Sequence, residues 1–172
     1  VLGVPPQQRW AASPELELRA TVSHSAEIGS GSGFVVRAVR WPAFRDVHGE
    51  GVLLTPAPPL QYAGDVVVIP DADQTPEMLT GLAPGLPPES QLARRLAAQG
   101  FRVLVPALVD RKIEKYHGVQ LTHREYLYRP AFELGRHLVG YELAKVITGA
   151  QALAASTPAT SRPIPDLAIW GY

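Results

Sequence analysis

The chain has 172 residues, of which 46% are hydrophobic and 19% charged, and its 16 Lys and Arg residues balance its 16 Asp and Glu residues. This composition is typical of a globular protein, and the charge balance leaves no basic surplus for nucleic-acid phosphates or anionic lipid. Cysteine is absent, which excludes disulfides and zinc–thiolate centres, and no apolar run approaches the ~20 residues of a membrane helix. We therefore expect neither nucleic acid nor a membrane as a partner.

The first 33 residues are punctuated by Pro, Ser and Gly, with Pro5-Pro6 near one end and alternating Gly and Ser over 29–33 at the other. This pattern predicts an arm and linker with one short strand, followed by a domain over residues 34–172. The chain begins at Val1 and shows neither the charged segment nor the long apolar run of a signal peptide. We therefore expect a processed or excised protein whose signal segment is missing. The compartment stays open, with secretion or a periplasmic location as candidates.

A strand pair is predicted at the start of this domain. Residues 34–41 alternate in the manner of a strand, and residues 51–56 provide a second strand. The intervening Pro42 to Gly51 has the composition of a turn-rich link. The pattern predicts an antiparallel hairpin.

Three short apolar runs then follow, over residues 65–70, 101–106 and 167–170. Their lack of a polar face is typical of strands that are buried on both sides of a parallel sheet. We expect all three to be buried strands.

Helical patterns separate these three strands. Residues 88–99 have apolar residues at helical spacing and end at Gly100, a plausible C-terminal cap. Residues 130–155 predict one long helix with a wide apolar face. A hairpin followed by β-α-β-α-β with right-handed crossovers predicts a three-layer α/β/α domain.

The loop after the first of these buried strands lies where α/β sheets place their ligands. A backbone N–H in such a loop can stabilise the oxyanion of acyl transfer, and Ala72 and Asp73 are the candidate donors. In that role the carboxylates of Asp71 and Asp73 must turn away or pair with a cation such as Arg124 or Arg129. Alternatively, these carboxylates cap the turn that follows.

The same loop supports a rival interpretation, because Asp71 to Thr75 matches the DxDxT pattern of haloacid-dehalogenase-like phosphatases. There the first Asp is the nucleophile, the second is a general acid, and carboxylates bind Mg²⁺. Two features count against this alternative: a hairpin precedes the motif, and the next strand ends in Pro106-Ala107-Leu108 without the Ser or Thr that would hold the phosphate.

The segment 110–130 is polar and aromatic, and we expect it to overhang the C-terminal edge of the sheet. Arg124, Tyr126 and Arg129 are candidates to line a substrate cleft there, where an arginine would meet an anionic or polyhydroxy group. The alternative is a solvent-exposed segment whose own tyrosines pack together.

The histidines are expected to be structural or surface residues. His137 has helical spacing to Glu133 and Tyr141, which favours an orienting pair, and His117 and His123 lack partners at ligand spacing. The other two are His24 and His48. We expect no metal site and no cofactor.

Gly171-Tyr172 directly follows the third apolar run. This order matches the start of a nucleophile elbow, in which a strand leads through Gly and one further residue to a nucleophile on a sharp turn. We therefore expect the nucleophile one position after Tyr172, with the acid and the histidine base further downstream. An ordinary strand-end turn is the alternative.

Together these features resemble the α/β-hydrolase superfamily, in particular its dienelactone-hydrolase-like and acetyl-xylan-esterase-like branch. The resemblance covers roughly residues 34–172 and rests on the opening hairpin, the Pro70-Asp71 loop and the elbow start at Gly171-Tyr172. It implies the N-terminal part of an α/β-hydrolase fold that ends just before the nucleophile.

The resemblance also implies a function for the parent protein, namely hydrolysis of carbohydrate esters or of esters and lactones of small acids. The partners would then be such a substrate and the remainder of the hydrolase domain. This chain alone would be inactive, and activity of the parent is an open question. A non-catalytic hydrolase-fold binding module is the other alternative.

Overall fold

The computed structural model describes Gly3, residues 14–156 and residues 167–171. The strands are β1 Glu17–Leu18, β2 Glu27–Gly31, β3 Phe34–Phe44, β4 Val47–Pro56, β5 Gly64–Ile69, β6 Phe101–Pro106, β7 Ile113–Tyr116, β8 Val119–Thr122 and β9 Leu167–Gly171. The helices are α1 Pro76–Thr80, α2 Leu92–Ala97, α3 His123–Glu133 and α4 Leu138–Ala155, and a 3₁₀ turn over Pro88–Ser90 precedes α2. The described elements thus include all the predicted strands.

A mixed sheet lies at the centre, with the order β1-β3-β4-β6-β5-β9, and β2 also pairs with β3. The pairs β3–β4 and β4–β6 are antiparallel, whereas β5 is parallel to both β6 and β9. The order of an antiparallel hairpin followed by parallel strands, predicted from the sequence, is confirmed.

Helices cover both faces of the sheet. Alternate residues of β5 point in opposite directions, so that Val66 and Val68 pack with α1 and α2 while Val67 packs with α4. On the α4 face Trp41 is fully buried, and its indole Nε1 donates a hydrogen bond to the carbonyl oxygen of Lys145 at 2.8 Å. The predicted three-layer α/β/α arrangement is therefore confirmed.

The hairpin is longer than expected. Most of the predicted link over 42–51 is strand, with Pro42 opposite His48 and Gly51 opposite Val39. The register shifts just after Pro42, and such an irregularity tolerates a residue that has no N–H to donate. The turn itself is confined to Arg45 and Asp46.

The predicted long helix over 130–155 is wrong in extent. An earlier helix, α3, starts after Thr122, whose side chain and that of Glu125 form a reciprocal capping box. The helical path is interrupted at Gly135, which has φ of +78°, and α4 begins at Leu138. A left-handed residue ends a helix as a C-terminal cap does, which accounts for the break.

Two short strands, β1 and β2, lie within the predicted arm, where one was expected, and both pair with β3. The remaining arm residues 1–2 and 4–13 lie outside the described residues, so the division of the chain at residue 33 stays a prediction. No helix within the described ranges is long and apolar enough to cross a membrane.

The strand β9 is not buried on both sides as expected. It pairs with β5 along one edge, and among the described residues no strand pairs with its other edge. Ile169 and Trp170 are each 56% exposed as a result. An unpaired apolar edge of this kind is a ready site for pairing with a further strand.

Candidate active-site edge

The C-terminal ends of the three parallel strands meet at one edge of the sheet. Gly171, at the end of β9, lies opposite Ile69, at the end of β5. The connection from β5 passes to α1 and α2 on one face, while β6 connects to α4 on the other face. Connections that leave in opposite directions open the crevice in which α/β sheets bind ligands. We define the candidate active-site edge, called the active-site edge below, as Ile69, the 71–74 turn and Gly171, which lie beside this crevice at the ends of β5 and β9.

A closed turn over 71–74 follows β5. The N–H of Gln74 donates to the carbonyl oxygen of Asp71 at 3.0 Å, and the N–H of Asp73 donates to the Asp71 carboxylate at 3.0 Å. The Asp71 N–H donates in turn to the side-chain oxygen of Gln74 at 3.2 Å. Thr75 then caps α1 by accepting from the N–H of Met78. The capping role considered as the alternative for Asp71 is thus present.

Arg111, in the loop after β6, holds both carboxylates of this turn. Its Nη1 lies 2.9 Å from Asp71 Oδ1 and 2.9 Å from Asp73 Oδ2. The Asp73 N–H and then Arg111 lower the pKa of Asp71 below its ordinary value, and the same two carboxylates raise the pKa of Arg111. The expected pairing of these carboxylates with a cation is present, but the cation is Arg111 and neither of the two arginines named as examples, Arg124 and Arg129.

The two candidate oxyanion donors differ in availability. The Asp73 N–H is already engaged by the Asp71 carboxylate. Ala72 is buried, and among the described residues its N–H has no hydrogen-bond partner. The turn thus leaves Ala72 as the candidate with a free donor, and its role stays a prediction.

Arg124, predicted to line a substrate cleft, pairs with the protein itself. Its guanidinium makes two hydrogen bonds to the buried Glu142 carboxylate, at 2.7 and 2.9 Å, and a third to the carbonyl oxygen of Val109 at 2.8 Å. The same carboxylate accepts the N–H of Val109 at 3.2 Å. Arg124 therefore fastens α3 to α4 and to the loop after β6.

Tyr126 and Arg129, the other two predicted cleft residues, do come together. A cleft of about 530 Å³ lies between Arg129, Tyr126 and Tyr116, and the two tyrosine rings stack at 3.8 Å. Arg129 also lines an adjacent cleft of about 480 Å³ with Tyr128 and His137. Within the described residues Arg129 makes no hydrogen bond or ion pair, although it interacts electrostatically with Glu125.

The histidines occupy supporting positions. His123 lies between Asp110, at 2.6 Å, and Glu114, at 3.3 Å, while the His137 side chain accepts the N–H of Val139 at the start of α4. The part of the chain that the structure describes contains no group of three or more His, Cys, Asp or Glu residues arranged to hold a metal ion.

The structure describes only the first residue of the expected elbow start, Gly171-Tyr172. Gly171 ends β9 at the active-site edge, whereas Tyr172 lies outside the described residues. Sequence reasoning missed Arg111. Its position five residues after Pro106, and so after β6, could have indicated a place near the turn. Nothing in the sequence, however, distinguishes it from the other arginines of the segment as the partner of these carboxylates.

We predict that Arg111→Gln raises the pKa of Asp71 without restoring it to the ordinary value of 3.8, since the larger cause, the Asp73 N–H, remains. A lowered pKa contributes stability that is present above the unfolded pKa and is lost as pH falls through the folded pKa. The variant should therefore have less of this stabilisation at pH values above the ordinary pKa of Asp71, and less of it to lose as the pH falls. Carboxyl ¹³C NMR titration measures the shift, and Arg129→Gln is the matched control. An unchanged Asp71 titration in Arg111→Gln would contradict the assignment.

Comparison with known proteins gives a structural likeness alone. No protein-family model matches the chain, and no curated protein matches it. A solved structure from Bacteroides fragilis NCTC 9343, of a protein provisionally assigned as an acetyl xylan esterase, is similar with a TM-score of 0.66 and 15% identity, covering 96% of this chain and 43% of that chain. Acetyl xylan esterase 1 from Thermoanaerobacterium sp. JW/SL YS485 gives a TM-score of 0.48 at 10% identity, covering 95% of this chain and 47% of that chain.

The first likeness shows that the chain shares the α/β-hydrolase-like fold of that solved structure. The chain spans less than half the length of either protein.

Proposed function

We propose that this chain is the N-terminal part of an α/β-hydrolase-fold ester hydrolase, in which β9 leads into the nucleophile elbow. The observation that carries the proposal is the register between β5 and β9, which sets Gly171 opposite Ile69. A residue just after β9 and the N–H of Ala72 would then lie on neighbouring strand ends. This is the placement that attack on a carbonyl and stabilisation of its oxyanion require.

In this proposal the nucleophile after Tyr172 attacks the ester carbonyl, and the carbonyl oxygen becomes negatively charged. The Ala72 N–H and the N–H of the residue after the nucleophile stabilise that charge. The alcohol leaves as the acyl-enzyme forms, and water then releases the acid. The acid and base of the triad would come from downstream sequence, in the order nucleophile, acid and histidine.

Two features support the proposed substrate and partner. The stacked Tyr116 and Tyr126 beside the unpaired Arg129 offer apolar faces and a hydrogen-bond donor, which suit a carbohydrate ester or a small-acid ester or lactone. The open edge of β9, with Ile169 and Trp170 exposed, suits pairing with a further strand from the remainder of the hydrolase domain.

The proposal is tested by expressing the coding sequence continued past Tyr172 and measuring hydrolysis of p-nitrophenyl acetate, with the 172-residue chain as the matched control. We expect activity in the longer protein and none in the control, because the control lacks the proposed nucleophile. Equal ester hydrolysis by both proteins would contradict the proposal. Mg²⁺-dependent phosphatase activity that Asp71→Asn abolishes would instead favour the DxDxT interpretation.

A further inference from the structure

A separate groove of about 290 Å³ lies where α3 and α4 meet the β3–β4 turn. Its walls are mainly apolar and include Val47, Leu127, Ala131 and Leu138. Among the described residues, Lys145 is the one charged side chain that lines it. The groove therefore combines an apolar body with a single cationic group.

The Lys145 ammonium has no carboxylate within ion-pair distance among the described residues. The nearby Glu142 is occupied by Arg124, and Glu50 forms an ion pair with Arg19 at 2.9 Å. Burial lowers the pKa of Lys145, and this effect outweighs the opposite influence of Glu142 and Glu50. The amine is thus partly desolvated without a paired anion.

We propose that this groove binds a small amphipathic monocarboxylate, with its carboxylate on Lys145 and its hydrocarbon chain between Leu127, Ala131 and Leu138. An ammonium that has lost water without gaining a partner is stabilised by a carboxylate at hydrogen-bond distance. The apolar walls disfavour a polyhydroxy ligand. The volume of about 290 Å³ lies just below the range of ~300–1,000 Å³ for ligand pockets, which favours a small ligand such as a medium-chain acid. This groove is distinct from the active-site edge that is proposed for ester hydrolysis.

The experiment uses the small lysine content of the chain, which has Lys112, Lys115 and Lys145. Reductive ¹³C-methylation labels the three lysine amines together with the N-terminal amine of Val1 and keeps their charge, so that NMR can follow each one during titration with octanoate. We expect the Lys145 methyl signals to shift while those of the exposed Lys112 and Lys115 stay in place. Octanoate should bind about tenfold more tightly than octanol, because the alcohol lacks the charge-assisted hydrogen bond.

Two variants isolate the role of the charge. Lys145→Met keeps the aliphatic stem and should remove the preference for octanoate over octanol, whereas Lys145→Arg should retain it; Lys112→Met is the matched control. Equal affinity of the original chain for octanoate and octanol would overturn the proposal, as would uniform shifts of all three lysines. If Lys145→Met does not fold, the methyl titration and Lys145→Arg still decide the question.

Discussion

Replacing Ala72 with proline is expected to lower the esterase kcat of the protein extended past Tyr172 by about 100- to 1,000-fold, the usual cost of losing one oxyanion-hole donor. Ala72 is the candidate because the neighbouring Asp73 N–H already donates to the Asp71 carboxylate. The Ala72 N–H has no partner in the described part of the chain. Proline removes that single donor and leaves the rest of the turn in place.

The turn geometry makes this substitution compatible with folding. The hydrogen bond from the Gln74 N–H to the Asp71 carbonyl places Ala72 at the second position of a four-residue turn, where proline is favoured. Ala72→Ser, which keeps the N–H, is the control and should retain most of the activity. Steady-state kinetics together with a thermal melt separate loss of catalysis from loss of fold. A proline variant with kcat within a few-fold of the original would show that Ala72 is not the donor.

Arg102→Met is expected to lower the free energy of unfolding by about 3–5 kcal/mol, because it leaves a buried carboxylate without its partner. Arg102 makes two hydrogen bonds to Asp65, at 2.7 and 2.8 Å, and the Asp65 side chain is fully buried. It also donates to the carbonyl oxygens of Leu153, at 2.7 Å, and Ser156, at 3.0 Å. The guanidinium thus ties the starts of β5 and β6 to the end of α4.

The matched control is Arg19→Met, since Arg19 and Glu50 form a pair of similar length whose side chains are 55% and 48% exposed. Exposed pairs contribute about 0–1 kcal/mol, so this variant should change little. Urea denaturation measures both variants. Combining Arg102→Met with Asp65→Leu should recover part of the loss, because the buried charge that Arg102 neutralises is then absent. Equal losses in the two single variants would contradict the account.

The parallel strands could be predicted because burial on both faces demands continuous apolar runs such as 66–69 and 103–105. The same logic failed for the burial of β9, since an apolar run does not reveal what covers the two faces of a strand. Ile169 and Trp170 are apolar yet exposed in this chain. The pattern over 130–155 likewise predicted the apolar face of α4 but not the break before it. Glycine also occurs within helices, so the sequence alone does not show that Gly135 has a φ of +78°.

The local structure of the candidate site was more predictable than the partners of its side chains. The turn after β5 follows from local chemistry, as Asp side chains accept backbone N–H groups two residues on. Arg111 pairs with Asp71, and Arg124 pairs with Glu142. These pairings depend on which loops lie close together in the folded chain. The desolvated Lys145 was also beyond sequence analysis, because its burial arises from contacts between α3, α4 and the hairpin.

The proposed ester hydrolysis requires acyl transfer at the active-site edge by a nucleophile supplied directly after β9. The most direct measurement is to expose the protein extended past Tyr172 to a fluorophosphonate ester mimic and to map the modified residue by peptide mass spectrometry. We predict one adduct, on the residue that follows Tyr172, and none on the 172-residue chain. An adduct at any other position, or ester hydrolysis that continues without an adduct there, would contradict the account.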